Sequence, residues 1–203
     1  MKRPILIALK ILAWLACLWP LGWLIWGAVT DNLGADQVHA ITFTTGLATL
    51  HILTISLAIT PLRRLSPRLN WLIKFRRLLG LFAFFYASLH LLTYIALYAG
   101  FDVSVMAADI AKRRYITAGV AAWLLLLPLA ATSTNWAIRK LGGKRWNRLH
   151  KLVYVAAVCG VIHYWWQVKP GVRTPLTITV VLAVLLLARP IQEWMQRSKP
   201  RLV

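Results

Sequence analysis

Apolar residues fall in six runs along the chain, at about 5–29, 41–62, 78–100, 115–133, 149–167 and 174–190. Each run approaches the ~20 residues that a helix needs to cross ~30 Å of hydrocarbon at ~1.5 Å per residue. The last is the shortest but the most purely aliphatic (LTITVVLAVLLLA). The first follows MKRP and is too long for a signal peptide. No small-residue cleavage pattern comes after it, so it is expected to persist as a helix. The pattern predicts an all-α integral membrane bundle of six transmembrane helices, in a single domain covering residues 1–203.

Composition agrees with this reading. The chain is 60% hydrophobic and 14% charged, whereas a soluble domain is nearer half apolar and a quarter charged. The net charge of +19 would suit a nucleic-acid partner, but the basic residues lie between apolar runs and form no soluble domain of their own. Cys17 and Cys159 both sit inside apolar runs and make neither a disulfide framework nor a zinc spacing. There is no glycine-rich nucleotide motif and no repeat. No loop is large enough for a soluble catalytic domain, so any chemistry is expected within the membrane or on a partner.

Charge sets the expected orientation. With the N-terminus inside, inner segments hold Lys2, Arg3 and Lys10; Arg63, Arg64, Arg68, Lys74, Arg76 and Arg77; Arg139, Lys140, Lys144, Arg145, Arg148 and Lys151; and Arg189, Arg197, Lys199 and Arg201. Outer loops hold Lys112, Arg113, Arg114, Lys169 and Arg173 together with Asp31, Asp36, Asp102 and Asp109. This positive-inside bias predicts both termini inside. Trp23, Trp26, Trp165 and Trp166 near outer ends, and Trp71, Trp136, Trp146 and Trp194 near inner ends, form the expected interfacial belts. Residues 101–114 read as an amphipathic surface helix.

The five histidines carry the candidate chemistry. His39 is expected in an outer loop. His51, His90, His150 and His163 lie at membrane depth or at its edge, where polar side chains are costly and mark function. His90 is 12 residues past Leu78 and His163 is 14 past Leu149, so on two helices running outward they share a depth to within about 3 Å. Two imidazoles at one depth can take both axial positions of a heme iron in a bundle core, giving an electron carrier. His51 competes with His163 by depth, and spacing alone leaves that choice open. His150 lies 13 residues before His163, hence about 19.5 Å lower and roughly 140° around an ideal helix, so the two cannot share an iron. Arg76, at the inner edge of the third helix, is a candidate for a heme propionate or for the far side of an iron held by His150. A non-redox membrane subunit, a transporter component or scaffold whose histidines take protons or metal, is the alternative from another class.

The stretches RRLLGLFAFFYASLHLLTY (76–94), TPLRR (60–64), LAATST (129–134) and LGGKRWNRLHKLVYVAAVCGVIHYWW (141–166) resemble the MsrQ family. These are heme-binding membrane subunits of the bacterial periplasmic protein-methionine-sulfoxide reductase system, within the ferric-reductase-like transmembrane superfamily. The resemblance runs along essentially the whole chain. It implies that His90, His150 and His163 are heme histidines binding one or two b-type hemes, and His51 matches no family motif position. It also implies a multi-pass protein of the bacterial inner membrane that takes electrons from the quinone pool and passes them to a periplasmic molybdopterin enzyme repairing oxidised methionine. FMN is associated with the family, though no residue pattern here locates it. Superfamily ferric reductases and NADPH oxidases carry a fused flavin and nicotinamide domain. These 203 residues hold none, which implies a membrane quinol or a separate reductase as donor. A reductase of ferric iron or another small acceptor is the alternative within the superfamily.

Overall fold

The computed structural model describes residues 3–168 and 174–197. All regular structure among them is helical. Helix α1 spans Arg3–Val29 and α2 spans Gln37–Leu65. A 3₁₀ segment, Pro67–Phe75, leads directly into α3 (Arg76–Thr93), which continues as a π-helical turn over Tyr94–Tyr98. A short α4 (Val103–Lys112) precedes α5 (Arg114–Ala131). Two further short helices, α6 (Asn135–Leu141) and α7 (Gly143–Leu149), lead to α8 (Leu152–Gln167), and α9 covers Thr174–Arg197.

Local chemistry places these boundaries. The Asp36 carboxylate accepts from the His39 amide at 2.9 Å and caps α2. That puts His39 in the first turn of α2 rather than in the loop where it was expected. Gly100 (φ 57°) and Phe101 (φ 63°) turn the chain in the left-handed region, which glycine enters freely and phenylalanine does not. Asp102 then accepts from the Ser104 and Val105 amides and starts α4, the surface helix expected over 101–114.

Among the described residues, five helical segments are long and apolar enough to cross a membrane: Arg3–Val29, Gln37–Leu65, Pro67–Tyr98, Arg114–Ala131 and Pro175–Gln192. The fifth expected span is the exception. Its helix has 16 residues, Leu152–Gln167, about 24 Å of rise, because the chain breaks at His150–Lys151. Side chains tie this break to the end of α5. The Trp146 indole donates to the Thr132 carbonyl at 2.9 Å, and the His150 ring stacks on Trp146 with centroids 3.8 Å apart. Thus His150 caps α7 and is not on the same continuous helix as His163, so the rotation expected from an unbroken helix does not apply.

α2 packs chiefly on α3, and α5 on α8; contacts between α3 and α5 and between α2 and α8 close a four-helix ring. α1 lies against α2, while α9 lies against α2 and α8. Tyr86 joins α1 to this ring. Its ring is fully buried, and its hydroxyl donates to the Cys17 carbonyl at 2.7 Å while accepting from the Leu21 amide at 3.1 Å. These are the two groups that an unbroken α1 would pair with each other. Pro20 lies between them, and proline disturbs the local ladder, so the phenol is inserted at the kink. Outward faces are apolar: Ile11, Leu12, Leu15 and Trp19 of α1 and Val180, Val184 and Leu187 of α9 are exposed. Such broad apolar surface suits lipid, not water. Lys2, Lys169, Arg173, Lys199 and Arg201, which entered the charge pattern, lie outside the described residues.

Candidate functional site

A cavity of about 480 Å³ opens within the four-helix ring, a size in the usual range for a small-molecule or cofactor site. His90 from α3 and His163 from α8 both line it. Their ring centroids are 5.8 Å apart and their planes nearly perpendicular, at 81°.

Each imidazole is held by its Nδ1. The His90 Nδ1–H donates to the Thr42 carbonyl of α2 at 2.9 Å, with the Thr45 hydroxyl 3.4 Å from the same nitrogen. The His163 Nδ1–H donates to the Tyr115 carbonyl of α5 at 2.6 Å. A carbonyl oxygen only accepts, so the proton sits on Nδ1 and both Nε2 atoms keep a free lone pair. A metal-ligating histidine usually has its far nitrogen held by such a backbone acceptor, which fixes the ring's tautomer and orientation.

Two glycines make the space. A Cβ at Gly46 of α2 would lie 3.1 Å from His90 Cε1, and one at Gly119 of α5 would lie 2.8 Å from His163 Nδ1. Each histidine therefore rests against a bare stretch of the helix whose carbonyl holds it. None of Gly46, Gly119, Thr42 and Tyr115 was singled out by sequence reasoning. A glycine in an apolar helix near a polar residue was the available signal, but the partner helix is not written in the sequence.

Two imidazoles do not complete a metal site alone, and among the described residues no group of three or more His, Cys, Asp or Glu side chains is placed to hold an ion. They do fit a group that brings its own equatorial donors. Two metal–imidazole bonds of about 2 Å in line set ring centres about 6 Å apart, close to the spacing here. A tetrapyrrole-bound metal such as heme is a group of that kind.

The other candidates lie elsewhere. His51 follows Gly46 by five residues, about 140° around the helix; it is exposed and does not line the cavity. His150 also does not line it. The Thr132 hydroxyl donates to the Pro128 carbonyl at 2.6 Å and lies 3.2 Å from His150 Nε2, so Nε2–H is the donor there. Arg76, the first residue of α3, is within electrostatic reach of His150. The structure thus brings His90 and His163 together and leaves His150 apart from them.

At the end of the cavity nearest α4 a polar chain links both histidine-bearing helices. Tyr94, one turn beyond His90, donates to Asp109 at 3.0 Å. Asp109 pairs with Arg113 Nε at 3.0 Å, and Arg113 donates to the Tyr115 hydroxyl at 3.2 Å. Tyr115 in turn holds His163 through its carbonyl.

Sequence comparison places the chain among known proteins. Residues 45–161 match the family of the ferric reductase like transmembrane component. A protein of Herminiimonas arsenicoxydans named protein-methionine-sulfoxide reductase heme-binding subunit MsrQ is 50% identical over 97% of this chain and 90% of its own length. A relative of the same name from Ralstonia nicotianae is 46% identical over 92% of this chain and 85% of its own length. Another, from Xanthomonas euvesicatoria pv. vesicatoria, is 48% identical over 89% and 84%. The chain belongs to the MsrQ family. For this family member the matched region begins at Thr45, beside Gly46, and ends at Val161, two residues before His163. It takes in α3 and its histidine, the His150 break and most of α8. MsrQ membership and the five apolar spans make the chain a multi-pass membrane protein.

Proposed function

We propose that this MsrQ-family chain is a b-type cytochrome of the bacterial inner membrane. It would take electrons from the quinone pool and deliver them to a periplasmic molybdopterin methionine-sulfoxide reductase that repairs oxidised proteins. The observation that carries this reading is the pair of imidazoles with Nδ1 spent on carbonyls and Nε2 free in one cavity. The relatives' printed name, heme-binding subunit, supports it. A bound heme would supply one-electron transfer, with His90 and His163 as the residues that would hold it.

The residues of the chain do the rest. His90 and His163 would hold the iron from α3 and α8, with Thr42 and Tyr115 fixing their rings. Gly46 and Gly119 keep space open. His150 and Arg76 form a separate inner site on the side where electrons enter. Iron ligation by His150 through Nε2 would require the bond to Thr132 to be given up, so this site is a second heme only where that exchange occurs. The family's FMN has no assigned residues.

Optical spectroscopy of the purified protein tests the reading. Reduced b-type bands are expected. His90→Ala and His163→Ala should lose the same spectral component, and His51→Ala none. His150→Ala should lose a different component, with Arg76→Ala perturbing that same one. The reduced protein should be reoxidised by the periplasmic reductase with a methionine-sulfoxide substrate. Colourless protein would refute the cytochrome, and reoxidation by ferric chelates alone would make it a ferric reductase.

A further inference from the structure

We infer that Arg113, poised by Asp109, receives the propionate carboxylates of the heme between His90 and His163, and that this pair tunes the heme's potential. The inference rests on the heme reading above. The cavity has two unlike ends. Inward it is walled by Leu50, Leu53, Trp123, Leu126 and Ala156, where an ionised carboxylate would be costly to place. Outward it is lined by Tyr94, Asp109, Arg113 and Gln167. A heme bound by both histidines must therefore turn its two carboxylates outward.

Arg113 is the lysine or arginine that lines the cavity among the described residues. Its guanidinium has five N–H donors. One, on Nε, goes to Asp109 and another, on Nη1, to the Tyr115 hydroxyl, leaving three. The side chain is 56% exposed, against 18% for Asp109, so the free donors remain at the mouth while Asp109 fixes the fork from below. Planar guanidinium donors match carboxylate geometry. Lys112 and Arg114 flank it but line only the shallow outer depression with Tyr115 and Trp166.

Charge near the iron biases its oxidation state, since reduction adds an electron. Removing the Arg113 cation leaves Asp109 uncompensated and disfavours the ferrous form. Removing the Asp109 charge leaves Arg113 unopposed and does the reverse. At a fixed ambient potential, a unit charge about 12 Å away at an effective dielectric of ~20 changes the ferrous-to-ferric ratio about tenfold, or about 59 mV for a one-electron couple.

Potentiometric titration of the detergent-purified heme protein, followed at the band lost in His90→Ala, is the test. Arg113→Gln should lower the midpoint potential and speed heme loss, Arg113→Lys should recover most of the potential, and Asp109→Asn should raise it. Lys112→Gln removes the same charge outside the cavity and should shift it far less. Equal shifts from Lys112→Gln and Arg113→Gln would reduce the effect to general surface charge and overturn the inference. So would unchanged potentials in both Arg113→Gln and Asp109→Asn with b-type bands intact, leaving the heme reading standing. A wild-type chain without b-type bands would overturn both.

Discussion

Replacing Gly119 by alanine tests the site through a single methyl group. The added Cβ would lie 2.8 Å from His163 Nδ1, 3.0 Å from Cε1 and 3.4 Å from Cγ, well inside ordinary contact. The ring cannot simply step aside, because the same Nδ1 is held 2.6 Å from the Tyr115 carbonyl. Overpacking of this kind costs about 1–3 kcal/mol, and losing the hydrogen bond adds about 0.5–1.5 kcal/mol. Alanine's better helix propensity returns about 1 kcal/mol. The net is a loss of about 1–3 kcal/mol, concentrated on the ring proposed to hold iron. Gly46→Ala places its Cβ 3.1 Å from His90 Cε1 and should show a milder form of the same defect. Gly80→Ala, with nothing within 4 Å of the added carbon, is the matched control in α3 and should be neutral or stabilising. Heme content per protein, the reduced optical spectrum and low-temperature electron paramagnetic resonance of the oxidised form would read this order. Gly119→Ala with wild-type heme content and an unchanged ligand field would refute the argument that the glycine makes room for an axial histidine.

Two further predictions concern the frame around the site. Tyr86→Phe removes the hydroxyl inserted between Cys17 and Leu21 of α1; two buried backbone groups lose their partner, so thermal stability in detergent should fall by about 1–3 kcal/mol while the optical bands keep their positions. Ser104→Cys, in α4, should react with a periplasm-restricted thiol reagent, and Lys144→Cys, in α7, should be protected until the membrane is opened; the reverse pattern would invert the orientation read from the loop charges.

Most of the fold is legible in the sequence because lipid imposes a simple rule: a run of about 20 apolar residues has to satisfy its own backbone as a helix. Five of the six runs obey it, with ends shifted by a few residues. The surface helix expected over 101–114 was legible too, through its amphipathic pattern, and forms over Val103–Lys112. The run at 149–167 is not one unbroken helix, because ties of Trp146 and His150 to Thr132, which hydropathy does not register, stop one helix at Leu149 and begin the next at Leu152. Depth along the helices made His90 and His163 a possible pair, since rise per residue is fixed. It could not choose between His163 and His51, because that depends on which helix faces which. Tertiary packing decided it: α2 turns Gly46 toward His90 and His51 away, and α5 offers Gly119 and the Tyr115 carbonyl to His163. The sequence alone determined which residues lie in the membrane and at what height, a matter of hydrophobicity and helix rise. Rotation of each helix about its axis, and with it the partner of every buried nitrogen, was left to the packing of side chains from segments far apart in the chain.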